Sequence, residues 1–266
     1  MSLLQIVVLA LIQGITEFLP ISSEGHLTLV PFFTNWPDQG LLTDMVTNVG
    51  TLLAVIVYFW RDVMSMLRGF FDLVRRQQTR DSRLMFNIII GTIPIIGVGL
   101  VLKLTGLDSH IRSAELVAWN AIVFGIILYL ADHYGLTTRK VSDMTWQTSL
   151  IIGFSQCLAL SPGTSRSGIT MTAGRALGFV RSEAARFSFL LSIPANAAAS
   201  ILIIGHAVKS GEHIGVDVIL TGVLTFFVGL GTITLLMRIV RTVSFLPFAV
   251  YRVLLGAVIL GLIYSA

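Results

Sequence analysis

The sequence has few charged residues and only one cysteine. Of its 266 residues, 12% are charged, against about 25% in soluble domains. With 55% hydrophobic residues, this shortage of charge excludes a soluble globular domain and predicts an integral membrane protein. The lone Cys157 excludes an internal disulfide. The basic residues flank apolar segments and are not interleaved with aromatic side chains, so nothing indicates binding to nucleic acid.

Six apolar segments are long enough to cross a bilayer, for which a helix needs about 20 residues. Segment 84–104 contains Gly91 and Pro94, which predict an interruption of its helix. Residues 61–83 combine six arginines with apolar side chains. They are either an amphipathic interfacial helix followed by a polar turn or a basic loop. The six predicted spans are 44–60, 84–104, 115–132, 187–208, 216–237 and 248–265.

Two further apolar segments are interrupted by polar residues and predict re-entrant helix hairpins. The first covers residues 3–34 and the second residues 147–175. Broken helices at membrane depth are tolerated only where protein or a water-filled cavity lines them. Each hairpin is followed by three spans, so the predicted fold is a single all-α integral membrane domain built from two inverted repeats, 1–133 and 147–266.

The two hairpins can be aligned on their prolines. Placing Pro20 over Pro162 sets Ser23 over Ser165. The sites of inverted-repeat membrane proteins lie where the broken helices meet. We therefore expect the two interruptions to form one site.

Lysine and arginine are distributed unevenly among the connections. The connections 61–83, 133–146, 175–186 and 238–247 carry 13 of them, and the opposite set carries three, among them Arg112. Cytoplasmic loops carry an excess of these residues. This bias predicts that the four richer connections are cytoplasmic and that the first hairpin enters from the outer face.

The first interruption brings together ionisable and hydroxyl side chains. Gln13 and Glu17 are four residues apart and share a helix face. Ser23 and His26 lie three residues apart at the start of the next helical piece. Polar groups at membrane depth are expensive, so by default they mark a functional site. The start of a helix also offers free N–H groups and a positive dipole end.

The second interruption adds a cation. Between Gly163 and Gly168, glycines allow a close backbone approach, and successive N–H groups can form an anion-binding nest. Arg166 contributes a planar fork suited to phosphate. Two helix N-termini and one arginine together predict a phosphate or diphosphate ligand.

These two runs resemble the signatures of a known family. The run Gln-x-x-x-Glu-Phe-Leu-Pro-Ile-Ser-Ser-x-Gly-His and the run Pro-Gly-Thr-Ser-Arg-Ser-Gly are similar to those of the undecaprenyl-diphosphate phosphatase (bacitracin-resistance) family. Further matches at 91–94, 187–194 and 248–256 extend the resemblance over nearly the whole chain. It implies hydrolysis of the terminal phosphate of undecaprenyl diphosphate, which recycles the bacterial cell-wall carrier lipid. It also implies a multi-pass inner-membrane protein whose active site faces the periplasm.

The resemblance implies functional roles for Glu17, Ser23, His26, Ser165, Arg166 and Thr170. The residue types suggest what each could do and add neighbouring residues to the expected site. Mg²⁺ or Ca²⁺ is expected on Glu17, with Gln13 as a neutral oxygen ligand where the family also accepts a glutamate. The nucleophile is either Ser23 activated by His26, which we favour, or His26 itself. The expected catalytic residues are Glu17, Ser23, His26 and Arg166. The expected substrate-binding residues are Ser22, Gly163, Thr164, Ser165, Arg166, Ser167 and Thr170.

Two other activities are compatible with parts of this pattern. A transporter or flippase of a polyprenyl-phosphate lipid could use the same inverted-repeat site. An acid phosphatase of the type-2 phosphatidic acid phosphatase kind fits poorly, because no second histidine is placed to join His26. The expected partners are the polyprenyl diphosphate lipid and the membrane, and a homodimer is left open. Arg252 is expected to snorkel to the cytoplasmic surface, and Glu24 has no assigned role.

Overall fold

A computed structural model of the protein describes residues 1–34, 36–106, 113–209 and 215–265. The described part contains helices and turns and no β-strand, which confirms the all-α fold. Short 3₁₀ turns occur at Val141–Asp143 and Leu158–Leu160. The α-helices are α1 Leu3–Thr16, α2 Ser23–Thr34, α3 Gly40–Tyr58, α4 Trp60–Val74, α5 Arg80–Thr105, α6 Ala114–Tyr134, α7 Trp146–Cys157, α8 Arg166–Ala176, α9 Arg181–Lys209, α10 Val216–Ile239 and α11 Leu246–Ser265.

Six of these helices are long and apolar enough to cross a membrane, namely α3, α5, α6, α9, α10 and α11. They confirm the six predicted spans. The predicted interruption of the second span is wrong, because α5 is continuous although Pro94 lies inside it. Gly91 serves a close helix contact instead, since a Cβ there would lie 2.8 Å from the hydroxyl of Ser149 in α7. Neighbouring helices commonly allow such prolines in spans.

Small residues bring the long helices close together. A Cβ on Gly50 of α3 would collide with the carbonyl oxygen of Gly222 in α10. A Cβ on Gly256 of α11 would lie 2.5 Å from the carbonyl oxygen of Ala118 in α6. Lipid is as apolar as leucine, so close backbone packing of this kind contributes much of the association energy of membrane helices.

The segment after the first span is helical rather than a basic loop. Helix α4 exposes apolar side chains, among them Phe71 (59% exposed) and Val74 (69% exposed). Its Asp62 forms an ion pair with Arg186 at the start of α9. A helix with an exposed apolar face at the predicted cytoplasmic boundary is suited to the membrane interface.

The two predicted hairpins are present. In the first, α1 and α2 are separated by residues 17–22, and in the second, α7 and α8 are separated by residues 158–165. Helix α1 packs against α10 of the second half, while α7 packs against α5 of the first half. This exchange of partners is compatible with an inverted repeat, and the inverted relation itself stays a prediction. Most of the connections 105–114 and 209–215, with Arg112, lies outside the described residues.

Candidate active site

The two hairpin breaks share an unusual backbone geometry. Ser22 has φ 74° and Ser165 has φ 69°, a left-handed conformation that non-glycine residues rarely adopt. Each hydroxyl accepts a hydrogen bond from the N–H three residues later, on Gly25 at 3.3 Å and on Gly168 at 3.1 Å. Helices α2 and α8 begin directly after these serines. The structural counterpart of Ser165 is therefore Ser22. The alignment on prolines was wrong by one residue, because the serine lies two residues after Pro20 in the first break and three residues after Pro162 in the second.

The second break is held closely against α6. Gly163 has φ 85°, and a Cβ there would lie 2.5 Å from the carbonyl oxygen of Val117. The amide nitrogen of Asn120 donates to Ser161 Oγ and to the Pro162 carbonyl, both at 2.7 Å. Only glycine satisfies both the conformation and the contact at position 163.

Glu17 connects the two breaks. Its Oε1 forms an ion pair with Nη2 of Arg166, and its Oε2 accepts the hydroxyl of Ser23 at 2.6 Å. The amide of Gln13 donates to the same Oε2 at 3.1 Å. Arg166 also donates from Nη1 to Asn196 Oδ1 at 2.7 Å. One carboxylate oxygen of Glu17 thus accepts the proton of the Ser23 hydroxyl, while the other oxygen contacts the guanidinium of Arg166.

These groups line a cleft of about 350 Å³. That volume falls within the range of small-ligand sites, roughly 300–1,000 Å³. The cleft carries four carboxylates and one guanidinium, so it is formally negative by three charges. The charged residues are Glu17, Glu24, Asp38, Asp44 and Arg166. An anionic ligand entering this cleft meets repulsion unless a cation accompanies it.

Six predicted site residues besides Glu17 line this cleft. They are Gln13, Ser22, Ser23, Gly163, Ser165 and Arg166. Glu24, which had no assigned role, lines it as well. The structure thus brings together most of the predicted site from two halves of the chain, on elements about 140 residues apart in sequence.

His26 does not join Ser23. Its Nδ1 lies 2.6 Å from the carbonyl oxygen of Ser22, and its Nε2 lies 2.6 Å from the hydroxyl of Tyr251. A carbonyl can only accept, so Nδ1 carries a proton and donates to Ser22, while Nε2 bonds the Tyr251 hydroxyl. Both nitrogens are engaged and His26 is absent from the cleft lining. The expected Ser23–His26 pair is therefore not formed in this structure.

Three predicted substrate ligands lie behind the cleft. Thr170 is 1% exposed, and its hydroxyl meets Ser188 at 2.6 Å and donates to the Arg166 carbonyl at 2.8 Å. Ser167 is buried and donates to the Leu19 carbonyl at 3.2 Å. Thr164 is completely buried. The Thr170 hydroxyl thus supports the start of α8 and the Ser167 hydroxyl connects the two breaks, whereas the Thr164 hydroxyl has no hydrogen-bond partner. Direct contact of these side chains with a ligand in the cleft would require them to move.

Oxygen atoms suited to a divalent cation lie around Glu17, although no cluster of three acidic, histidine or cysteine side chains exists among the described residues. The side chain of Gln13 is 1% exposed, and its Oε1 has no hydrogen-bond partner. Mg²⁺ is usually held by one or two carboxylates together with waters and substrate phosphates. One carboxylate, a buried amide oxygen lacking a partner and an excess of negative charge fit such a cation.

Sequence reasoning missed several residues of the site. Asn48 accepts a hydrogen bond from the Gln13 amide at 3.2 Å, and Asn196 holds Arg166. Both are amides within apolar spans, a signal that could have identified them. The prediction for Arg252 is wrong: it is completely buried and donates to backbone carbonyls of both hairpins instead of reaching the surface.

Comparison with known proteins gives one consistent result. The sequence model of the family described as bacitracin resistance protein BacA matches residues 6–258. The chain is 46% identical over 283 residues to an undecaprenyl-diphosphatase of Erythrobacter litoralis (strain HTCC2594), covering 98% of this chain and 99% of that protein. It is 44% identical over 267 residues to an undecaprenyl-diphosphatase of Ruegeria pomeroyi, covering 100% of both chains. An undecaprenyl-diphosphatase 2 of Stutzerimonas stutzeri is 44% identical over 271 residues, with 98% of each chain covered.

Proposed function

The chain belongs to the bacitracin resistance protein BacA family, and from this premise we propose how its cleft hydrolyses undecaprenyl diphosphate. The enzyme is a membrane phosphatase that removes the terminal phosphate and leaves undecaprenyl phosphate. The observation that carries the mechanism is the contact of Glu17 with Ser23 and Arg166 between the starts of two helices. Phosphoryl transfer depends mainly on positioning and charge neutralisation, and this cluster supplies both.

Substrate binding rearranges the ion pair. The diphosphate accepts hydrogen bonds from the N-terminal N–H groups of α2 and α8 and from the guanidinium of Arg166. Arg166 thereby exchanges part of its contact with Glu17 for contact with phosphate. The carboxylate of Glu17 is then free to accept a proton when the phosphorus atom lies beside Ser23.

The chemical step uses Ser23 as nucleophile. Its Oγ attacks the terminal phosphorus while its proton passes to Glu17 Oε2, which lies 2.6 Å away in the free enzyme. The bond from phosphorus to the bridging oxygen breaks, and Glu17 returns the proton to the departing undecaprenyl phosphate. Water then attacks the phosphorus of the phosphoserine while Glu17 takes a proton from that water. The bond between phosphorus and the Ser23 oxygen breaks, which releases inorganic phosphate, and Glu17 returns the proton to the Ser23 oxygen.

A divalent cation, Mg²⁺ or Ca²⁺, fits this cleft through Glu17 and the Oε1 of Gln13. When bound, it would neutralise charge on the diphosphate. The negative lining of the cleft supports this proposal. Ser23, Glu17 and Arg166 keep the roles described above whichever cation is present.

We assign the cleft to the periplasmic side of the bacterial inner membrane. The support is the excess of lysine and arginine in the connections at the opposite face. The cleft is also lined by Asp38, which precedes α3, and by Leu41 at the start of α3. The same charge bias favours an outer location for both.

Transport of the lipid is the alternative activity. A second cavity of about 760 Å³ lies near the predicted cytoplasmic ends of the helices and is lined by Arg80, Lys140 and Arg186, among others. It shares no lining residue with the cleft. A transporter requires one site that is reachable from both faces in turn, whereas hydrolysis requires access from one face only, so the separation favours hydrolysis.

The proposed function is tested by phosphate release. Purified protein is given undecaprenyl diphosphate in detergent, with and without EDTA, and inorganic phosphate is measured. We expect release that stops with EDTA and returns when Mg²⁺ or Ca²⁺ is added. Protein that binds the lipid and moves it between leaflets of a vesicle without releasing phosphate would support transport instead.

A further inference from the structure

Two adjacent residues of the last helix reach both hairpin breaks without lining the cleft. Arg252 in α11 is completely buried, and its Nη2 donates to the carbonyls of Thr164 at 2.8 Å, Gly163 at 2.9 Å and Asn120 at 3.3 Å. Its Nη1 donates to the carbonyl of Pro20 at 3.3 Å. One guanidinium therefore spans the first break, the second break and α6.

The partners of Arg252 are unusual for a buried charge. Among the ion pairs formed by the described residues, none includes Arg252. Burial of a guanidinium without a carboxylate is costly, and charge-assisted hydrogen bonds to several carbonyls offset that cost. The guanidinium also lies against the first turn of α8, where a Cβ on Gly168 would be 2.8 Å from Nη1. An apolar side chain at this position would leave these carbonyls without a donor, so the geometry indicates a specific role for the guanidinium.

Tyr251 reaches the first break from the other side. Its hydroxyl bonds His26 Nε2 at 2.6 Å, and the two rings are stacked 5.7 Å apart. The opposite nitrogen of His26 donates to the carbonyl of Ser22 at 2.6 Å. Ser22 has the left-handed conformation that directs Ser23 to Glu17. The series of hydrogen bonds from Tyr251 through His26 thus ends at the peptide group between Ser22 and Ser23, which is next to the proposed nucleophile.

We propose that Tyr251 and Arg252 are positioning residues of the phosphatase reaction. Arg252 sets the distance between the two breaks, and so between Ser23 and Arg166. Tyr251 fixes the backbone of Ser22 through His26. The proposal rests on the proposed function, because it concerns the same cleft. Neither residue touches the diphosphate, so both act on the rate of the chemical step more than on affinity.

The variant Tyr251→Phe is the sharpest test, since it removes only the hydroxyl that bonds His26. Tyr264→Phe is a matched control, because Tyr264 lies on the same helix and its hydroxyl bonds Glu115 at 2.5 Å, away from the breaks. We expect Tyr251→Phe to lower kcat about tenfold with KM changed less than about twofold, as expected for loss of one hydrogen bond in a preorganised site. Tyr264→Phe should change neither.

A double-mutant cycle tests the route through His26. In a His26→Gln background, Tyr251→Phe should lower kcat little further, because its partner is already gone. Additive effects of the two substitutions would overturn the route.

Arg252→Lys provides an independent measurement, because lysine keeps the charge but cannot span four carbonyls. We expect kcat to fall on the order of 10²-fold, the typical cost of misplacing reacting groups by about 1 Å. Arg175→Lys is the control for loss of a buried arginine, since Arg175 is equally buried but donates to Asp132 at 2.8 Å in the cytoplasmic half. It should lower thermal stability and leave kcat of the folded enzyme unchanged.

The outcomes separate the two proposals. A wild-type protein that releases no phosphate would overturn the proposed function. An active wild type in which Tyr251→Phe matches Tyr264→Phe would overturn only the positioning role, and it would do so even if Arg252→Lys fails to fold.

Discussion

At the scale of single residues, Glu17 is the centre of the site because three neighbours compete for its two oxygens. Arg166 holds one oxygen, while Ser23 and Gln13 share the other. The side chain of Glu17 is only 8% exposed. Hydrogen bonds and an ion pair of this kind offset the cost of burying a carboxylate. In the proposed reaction, Arg166 binds the phosphate and Ser23 is the nucleophile.

Arg166→Lys should therefore lose most activity although the charge is kept. An ammonium group cannot contact Glu17, Asn196 and a phosphate with the planar geometry of a guanidinium. We expect kcat/KM to fall by roughly 10²–10³-fold, the typical effect of removing a preorganised donor from a transition state. Steady-state phosphate release measures kcat/KM. Arg241→Lys is the control, because Arg241 is an exposed arginine that follows α10. Near-wild-type turnover would mean that Arg166 only balances charge.

Gln13→Glu should be tolerated when a divalent cation is present. The new carboxylate would face Glu17 in place of the amide that now donates to it at 3.1 Å, so a cation must lie between the two. We expect half-maximal activity at a lower Mg²⁺ concentration than in the wild type. Gln39→Glu is the control, because it adds the same charge to the same cleft beside Asp44 instead of Glu17. Severe loss of activity at saturating Mg²⁺ would show that position 13 does not face the metal.

At the scale of elements, the two hairpins derive their function from how their helices begin. Ser22 and Ser165 adopt left-handed conformations that each cost on the order of 1–3 kcal/mol and persist only where the surroundings fix them. The result is that two helix N-termini meet at one cleft. The carbonyls left over at the breaks are bonded by Arg252.

Gly163→Ala tests this geometry at the second break. An added methyl group would meet the Val117 carbonyl oxygen at 2.5 Å and would force an unfavourable φ. We expect the free energy of unfolding to fall by roughly 1–3 kcal/mol. We also expect kcat, measured by phosphate release, to fall below that of the Gly231→Ala control. Gly231→Ala in α10 has nothing within 4 Å and serves as the control. It should be neutral or slightly stabilising, and equal behaviour of the two variants would contradict the account of the break.

The sequence predicted the helices and their breaks better than the side-chain contacts between them. Apolar length revealed the six spans, and the two interruptions revealed the hairpins, because both depend on local composition. The partners of His26 and Arg252 were not predictable in this way. Tyr251 lies 225 residues from His26, and the carbonyls that Arg252 binds come from three other elements. Such contacts depend on how the helices pack, which periodicity does not encode. The alignment of the breaks was wrong by one residue because one extra residue between the proline and the serine leaves the two motifs similar.

At the scale of the whole molecule, the charge distribution predicts the orientation of the protein. The arginines and lysines of α4 and of the connection after α6 favour a cytoplasmic placement of both. In that orientation the cleft would lie at the periplasmic side, where its negative lining and a divalent cation would meet the diphosphate.

Cysteine labelling in intact cells tests this orientation. In a Cys157→Ser background, a membrane-impermeant thiol reagent should modify Ser113→Cys and spare Gln77→Cys, since both positions are exposed but lie in opposite connections. Lysed cells should give labelling of both variants, which controls for reactivity. The reverse pattern in intact cells would invert the orientation and place the cleft in the cytoplasm.

The most direct test of the central claim, that Ser23 held by Glu17 attacks the terminal phosphate, is single-turnover phosphate release from undecaprenyl diphosphate between pH 6 and pH 9. The wild type, Ser23→Ala and His26→Ala are compared, with lipid binding measured for each. We predict that Ser23→Ala releases no phosphate at any pH, whereas His26→Ala keeps a reduced but measurable rate, because His26 contacts the Ser22 backbone and not the cleft. A Ser23→Ala enzyme that binds lipid and clearly outruns His26→Ala across this range would contradict the account and identify His26 as the nucleophile.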